Sequence, residues 1–167
     1  VTDDGRQLID SRVICEYLDL RAGGGLFPAD PRQRVAHLTW QALADGMTDV
    51  LLVWRTELAR ETGPWPALVD GWRVKVRASM ARLEAEADDI ARAPFGIGHV
   101  ALAAALGQMD FRWPDCAWRD HFPRLAALEA ELARRPSVAA TAVVDDEPGD
   151  PGALTRDQLT FGLEAKD

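Results

Sequence analysis

The chain has 167 residues, 47% of them hydrophobic and 28% charged, with a formal net charge of −8. That length carries one domain-sized core, and the absence of any basic stripe interleaved with aromatics argues against a nucleic-acid partner. The longest strongly apolar stretch, Val100 to Leu106, is far short of the roughly 20 residues that span a bilayer, no charged-then-apolar leader is legible, and two cysteines, Cys15 and Cys116, are too few for an extracellular disulfide framework. A soluble, cytoplasmic protein with no membrane partner is the expectation.

The chain opens on VTDDGRQLI, where Asp4-Gly5 between short extended stretches predicts a β-hairpin. Asp10 and Ser11 are good helix starters, and Val13, Ile14, Tyr17 and Leu18 follow at helical spacing on one face. Three glycines, Gly23 to Gly25, end that helix and open a linker over 23–30. Asp30-Pro31 then supplies an N-cap followed by proline at the first helical position. A long helix is predicted from there, with Val35, Leu38, Leu43, Met47, Val50, Leu51, Trp54 and Leu58 as its apolar positions, up to Thr62-Gly63-Pro64. A second long helix, antiparallel to the first, carries Trp65, Leu68, Val69, Trp72, Val76, Met80, Leu83, Ala87 and Ile90 and closes before Pro94.

Ile97 to Phe111 is apolar on nearly all sides, as a helix at the centre of a bundle must be. Trp113-Pro114-Asp115 breaks it, Phe122, Leu125, Leu128 and Leu132 mark a shorter amphipathic helix, and Ser137 is placed to cap one further turn. After Thr141 the periodicity stops. Residues 142–167 hold seven acids against Arg156 and Lys166, a net of −5 that leaves −3 for the rest, so this proline- and glycine-interrupted tail is expected to be disordered.

Two stretches resemble the glutathione transferases. LIDSRVICEYL at Leu8 to Leu18 is similar to the end of that family's glutathione-binding domain, and GIGHVALAAALGQMDFRWPDCAW, with HFPRLAALEAELARRPSVAAT after it, is similar to the central and closing helices of the C-terminal domain. The resemblance covers about Val1 to Thr141. It implies an all-α fold of the glutathione-transferase C-terminal type over 31–141, preceded in 1–22 by a β-hairpin and helix remnant of a thioredoxin-like domain. It further implies a homodimer that conjugates glutathione, as substrate, to an electrophilic small molecule. The family's catalytic serine, tyrosine or cysteine follows the first strand of the thioredoxin-like domain, and no position of this sequence inherits that role. This chain by itself is therefore expected to be inactive, and the alternative is a non-catalytic helical module for dimerisation or protein binding.

Helix N-termini present free N–H groups and a partial positive charge, which suit a carboxylate. The resemblance assigns that place to the γ-glutamyl end of glutathione, its α-carboxylate on Ser11 and its α-ammonium on Asp10; plain capping is the competing reading. Asp45, before a mid-helix glycine that costs about 1 kcal/mol relative to alanine, matches an acid that in some relatives reaches across the dimer toward the partner's glutathione; an exposed acid beside a tolerated glycine is the plainer account. Leu43 and Met47 lie near the same level and are candidates for the electrophile pocket, against a simple core role. The three histidines are too dispersed for a metal site, Cys15 reads as a buried, inert thiol, and Cys116 as one open to solvent. Gly96 and His99 stand where the family places a serine or threonine cap and an aspartate three residues on. Neutral His99 is expected to accept the Gly96 N–H in the aspartate's place, with Phe95 and Val100 as a hydrophobic staple.

Overall fold

The structure, a computed structural model, describes residues 1–144 together with Leu159 and Phe161. Seven helices occur among these: α1 (Ser11–Arg21), α2 (Pro31–Leu58), α3 (Pro66–Arg92), α4 (Ile97–Arg112), α5 (Trp118–His121), α6 (Pro123–Ala133) and α7 (Pro136–Ala139). No strand occurs among the described residues, so the expected β-hairpin is corrected to a lone turn. The Thr2 N–H does reach the Arg6 carbonyl at 2.9 Å, but the return bond is diverted: the Arg6 N–H donates to the Thr2 hydroxyl at 2.9 Å, and the Thr2 carbonyl accepts Gly5 instead. A side-chain oxygen thus takes the place of the backbone partner that a ladder needs.

The long helices start and stop where the punctuation residues stand. Asp30 Oδ1 accepts the Gln33 N–H at 2.9 Å, with Pro31 at the first helical position. α2 buries Trp40, Ala44, Met47, Leu51 and Trp54, one face at three-to-four spacing. Val35 and Leu38, expected in that face, are exposed, Val35 at 64%. The helix is apolar enough to offer two stripes, and packing against α3 and α4 selects the one led by the tryptophans. Trp40 Nε1 donates to Glu86 at 2.7 Å and Arg73 lies over Trp54, pairings of early with late residues that make α2 and α3 antiparallel. Trp65, expected inside this pair, is 60% exposed; only its backbone is held, its N–H donating to Glu57 at 2.8 Å. That bond, with Arg60 beside it, holds the Glu57 carboxyl below the usual range.

α4 is the central element. Ile97, Leu102, Ala105, Leu106 and Met109 are all buried, and it contacts both α2 and α6. The short α5 has no periodic signal in the sequence. It is held because Trp118 Nε1 donates to Asp110 at 2.8 Å, while Arg119 forks onto both Asp110 oxygens at 2.6 and 2.7 Å and reaches Glu129 at 2.9 Å. These bonds lash α4, α5 and α6 together, bidentate arginine–carboxylate geometry being the strong kind. The start of α6 has no cap of its own; Glu84 of α3 accepts the Arg124 and Leu125 N–H groups at 3.1 and 2.7 Å. Ser137, expected as a cap, sits inside α7, and Arg135 holds the cap position. Cys116, expected in the open, is buried, and desolvation pushes its thiol up to about 11.

The expected disorder of the tail falls mostly outside the described residues. Two of its residues are described: Leu159 and Phe161 are buried in the core, and Phe161 meets Phe122 edge-on with ring centroids 5.3 Å apart. Among the described residues no helix is long and apolar enough to cross a membrane.

Candidate functional site

The start of α1 is exposed. Asp10 caps the helix, its Oδ1 accepting the Arg12 N–H at 3.0 Å, and Ser11 follows as the first helical residue, exposed. Arg12 then points away from its own helix: its Nε donates to Asp45 Oδ2 of α2 at 2.8 Å. Asp45 raises the guanidinium pKa, first through that bond and then through its charge, with Asp10 and Asp49 adding to it. One turn on, Arg34 pairs with Glu16, so two ion pairs fasten α1 across α2. Cys15 lies half-buried between them, its thiol pushed up by desolvation and by Asp45.

The structure therefore brings Asp10, Ser11 and Asp45 to one place, and Arg12 is the residue that does it. Sequence reasoning missed Arg12; its signal was its position directly after the Asp-Ser pair. Leu43 and Met47 lie elsewhere. Each is two residues from Asp45, about 200° round an α-helix, and they line a groove between α2 and α3 of about 290 Å³ with Gly46, Val50, Lys75 and Ser79. Met47 is buried in the core and Leu43 only partly so. Gly46 shows no close backbone approach: a Cβ built on it meets nothing within 4 Å.

Behind the site, the end of α1 is joined to the start of α4. Gly23, Gly24 and Gly25 all have positive φ, which turns the chain sharply after the helix. Asp19 is buried and accepts the Leu26 and Phe27 N–H groups at 2.9 and 3.2 Å, while the Leu26 carbonyl accepts the Ile97 N–H at 2.8 Å. A Cβ on Gly96 would lie 2.6 Å from the Leu26 oxygen and 2.7 Å from the His37 ring. His37 thus fills the space that a serine or threonine cap would need, which explains the glycine. His99 Nδ1 accepts the Gly96 N–H at 3.2 Å, as expected, and its Nε2 donates to the Ile90 carbonyl at 2.8 Å. These two bonds select the neutral ring with its proton on Nε2. Burial lowers the His99 pKa, the Ile90 bond opposes that, and Arg135, stacked over Phe95, adds to the lowering. His37 is lowered too, by burial and then by His99, with the Pro94 carbonyl opposing.

The apolar face of α1 is open. Val13, Ile14 and Leu18 are exposed, Leu18 at 56%, while the one buried residue of the helix is Asp19. Among the described residues no three His, Cys, Asp or Glu side chains converge as a metal site.

The family model for the glutathione S-transferase C-terminal domain matches residues 66–131. The GST-like protein YibF of Escherichia coli K12 is 31% identical over 150 residues, which span 84% of this chain and 72% of that protein. A crystal structure of a glutathione transferase family member from Pseudomonas fluorescens Pf-5, with bound S-(propanoic acid)-glutathione, is 43% identical and superposes with a TM-score of 0.80 over 86% of this chain and 75% of its own. A glutathione S-transferase from Methylobacillus flagellatus KT, crystallised with glutathione, is 31% identical with a TM-score of 0.79, over 86% of this chain and 73% of its own. On this agreement of sequence and fold, the chain belongs to the glutathione S-transferase family.

Proposed function

We propose that this chain takes part in glutathione binding within a glutathione transferase that conjugates the tripeptide to an electrophilic carbon. The observation that carries the reading is the exposed start of α1, where Asp10 and Ser11 stand beside Asp45 in a chain similar to proteins crystallised with glutathione. The γ-glutamyl α-carboxylate accepts hydrogen bonds from the Ser11 hydroxyl and the free N–H groups of the first turn, aided by the helix dipole. The α-ammonium pairs with Asp10, and Asp45 supplies a second acid. In the reaction the glutathione thiolate forms the new C–S bond as the bond to the electrophile's leaving group breaks with its electron pair, or as a π bond opens and its electron pair shifts within the acceptor and takes up a proton from water. The group that activates the thiol is assigned to no residue of this sequence.

Residues 1–22 are read as the end of a thioredoxin-like glutathione-binding domain, 23–30 as the linker, 31–141 as the all-helical domain, and 142–167 as an acidic tail. The open apolar face of α1 supports the first of these, since an exposed row of Val13, Ile14 and Leu18 suits a helix that packs on a further layer. Leu43 and Met47 are assigned to an apolar pocket in the groove between α2 and α3. A cytoplasmic homodimer completes the reading.

Calorimetric titration of glutathione into the protein and into Ser11→Ala tests it. Charge-assisted hydrogen bonds contribute roughly 1.5–3 kcal/mol, so the dissociation constant should rise about tenfold or more. An unchanged constant leaves Ser11 as a helix starter and removes the site.

A further inference from the structure

We propose that His37 is a pH-sensitive latch between the linker and the bundle: as the neutral ring it seats the linker on the start of α4, and on protonation it drives the linker off while the bundle stays folded.

The joint is built around one point. A Cβ on Gly96 would lie 2.6 Å from the Leu26 oxygen and 2.8 Å from His37 Nδ1, so the linker carbonyl, the start of α4 and the imidazole edge converge there. His37 is 1% exposed, and among the described residues neither of its ring nitrogens makes a hydrogen bond of good geometry. A neutral ring tolerates that place; an imidazolium does not, because a buried charge without a partner is far more costly than an unpaired dipole. Burial and then His99 oppose protonation of the ring, and the Pro94 carbonyl offsets them only in part. The surrounding elements offer no free counter-charge. On α4, His99 is bonded through both nitrogens, and beyond it the Arg135 guanidinium lies over Phe95. On α3, Glu86 is engaged by Trp40 and Arg82. On α1, Asp19 is spent on the Leu26 and Phe27 N–H groups and Glu16 on Arg34.

Water can reach the ring by two routes. Parting α2 from α4 would expose Trp40, Ala44, Leu102 and Leu106, all buried. Lifting the linker breaks only the bond from Ile97 to the Leu26 carbonyl and the two bonds to Asp19, beside three glycines already at positive φ. The second route costs less, since it gives up a few hydrogen bonds and leaves the apolar core in place. Once the linker lifts, α1 is left on α2 by two partly exposed ion pairs, Arg12–Asp45 and Arg34–Glu16, which contribute little. The latch is closed above about pH 6.5, where an exposed imidazole is neutral, and loosens as pH falls below it, because the open form binds the proton more readily.

Amide hydrogen exchange of the full protein between about pH 7.5 and 5.5, a window above the ordinary carboxylate range, reads the opening residue by residue. After correction for intrinsic rates, protection of the Leu26 and Ile97 amides should fall by about twofold to tenfold, tenfold being the limit for one ring that takes up no proton while closed. Exchange at these two amides should not respond to low urea, whereas exchange at Leu102 should, because the urea response follows the surface exposed. His37→Phe, which keeps a ring against Trp40, should remove the fall with pH, and so should His37→Gln; if one variant does not fold, the other carries the comparison. Constant protection at Leu26 and Ile97 in the unaltered protein overturns the latch. So does a fall that survives loss of the imidazole, or a urea response at Ile97 equal to that at Leu102, which would mean that the whole bundle opens.

Discussion

Acidification should weaken this fold through its two buried histidines. His99 is 3% exposed and bonded through both ring nitrogens, Nδ1 as acceptor from Gly96 and Nε2 as donor to Ile90. His37 is buried against it, ring centroids 5.3 Å apart. Protonating His99 would turn Nδ1 from acceptor to donor against an N–H, beside the positive end of α4 and near Arg135. Both rings therefore have folded pKa values depressed below the unfolded value near 6.5. The stability they allow is whole above about pH 7.5. It is lost as pH falls below 6.5, because the unfolded chain then binds protons that the folded chain refuses. The loss between pH 7.5 and 5.5 is bounded at about 1.4 kcal/mol per ring, the limit for a ring that takes up no proton while folded. Urea unfolding at half-unit steps of pH measures it. In His99→Gln, whose amide can still accept and donate but does not titrate in this range, the loss should be smaller. A flat profile in the unaltered protein, or an equal loss in His99→Gln, would refute the assignment of His99 as the capping partner of α4.

Gly96→Ala should cost at least about 2 kcal/mol in urea unfolding, as for an overpacked core, because the Cβ would meet the Leu26 backbone oxygen at 2.6 Å as well as the His37 ring; a cost below about 0.5 kcal/mol would show that the linker yields freely. Phe161→Ala should cost about 3 kcal/mol, since the ring is buried against Phe122, whereas Val144→Ala, at an exposed position, should stay within about 0.5 kcal/mol. Equal effects of these two substitutions would mean that the end of the chain contributes nothing to the core.

Local punctuation decided the helices. Asp10-Ser11, Asp30-Pro31, the three glycines after Arg21 and the prolines at 64, 94 and 114 set the starts and stops of α1 to α4 because caps and breakers act on their own backbone, within a turn of themselves. The role of His99 was legible for the same reason: its partner is three residues away. The candidate site residues Asp10, Ser11 and Asp45 could be named from residue type and resemblance. What joins them could not, because the Arg12–Asp45 bond depends on how two helices cross.

The misses share that cause. Val35 and Leu38 keep helical spacing as well as Trp40 and Ala44 do, and only the positions of α3 and α4 determine which stripe is buried. Glu57 and Glu84 cap helices other than their own, so nothing near Trp65 or Leu125 in sequence announces them. Leu159 and Phe161 lie in an acidic stretch without periodicity, yet two apolar side chains suffice to enter the core once Phe122 offers a surface. Sequence by itself determined the long helices, their order and the family, all of which follow from contacts within a few residues or from a run of matched motifs. Only the tertiary structure decided that the Leu43–Met47 groove and the Asp45 carboxylate look out from opposite sides of one helix, because rotation about a helix axis has no meaning until its neighbours are in place.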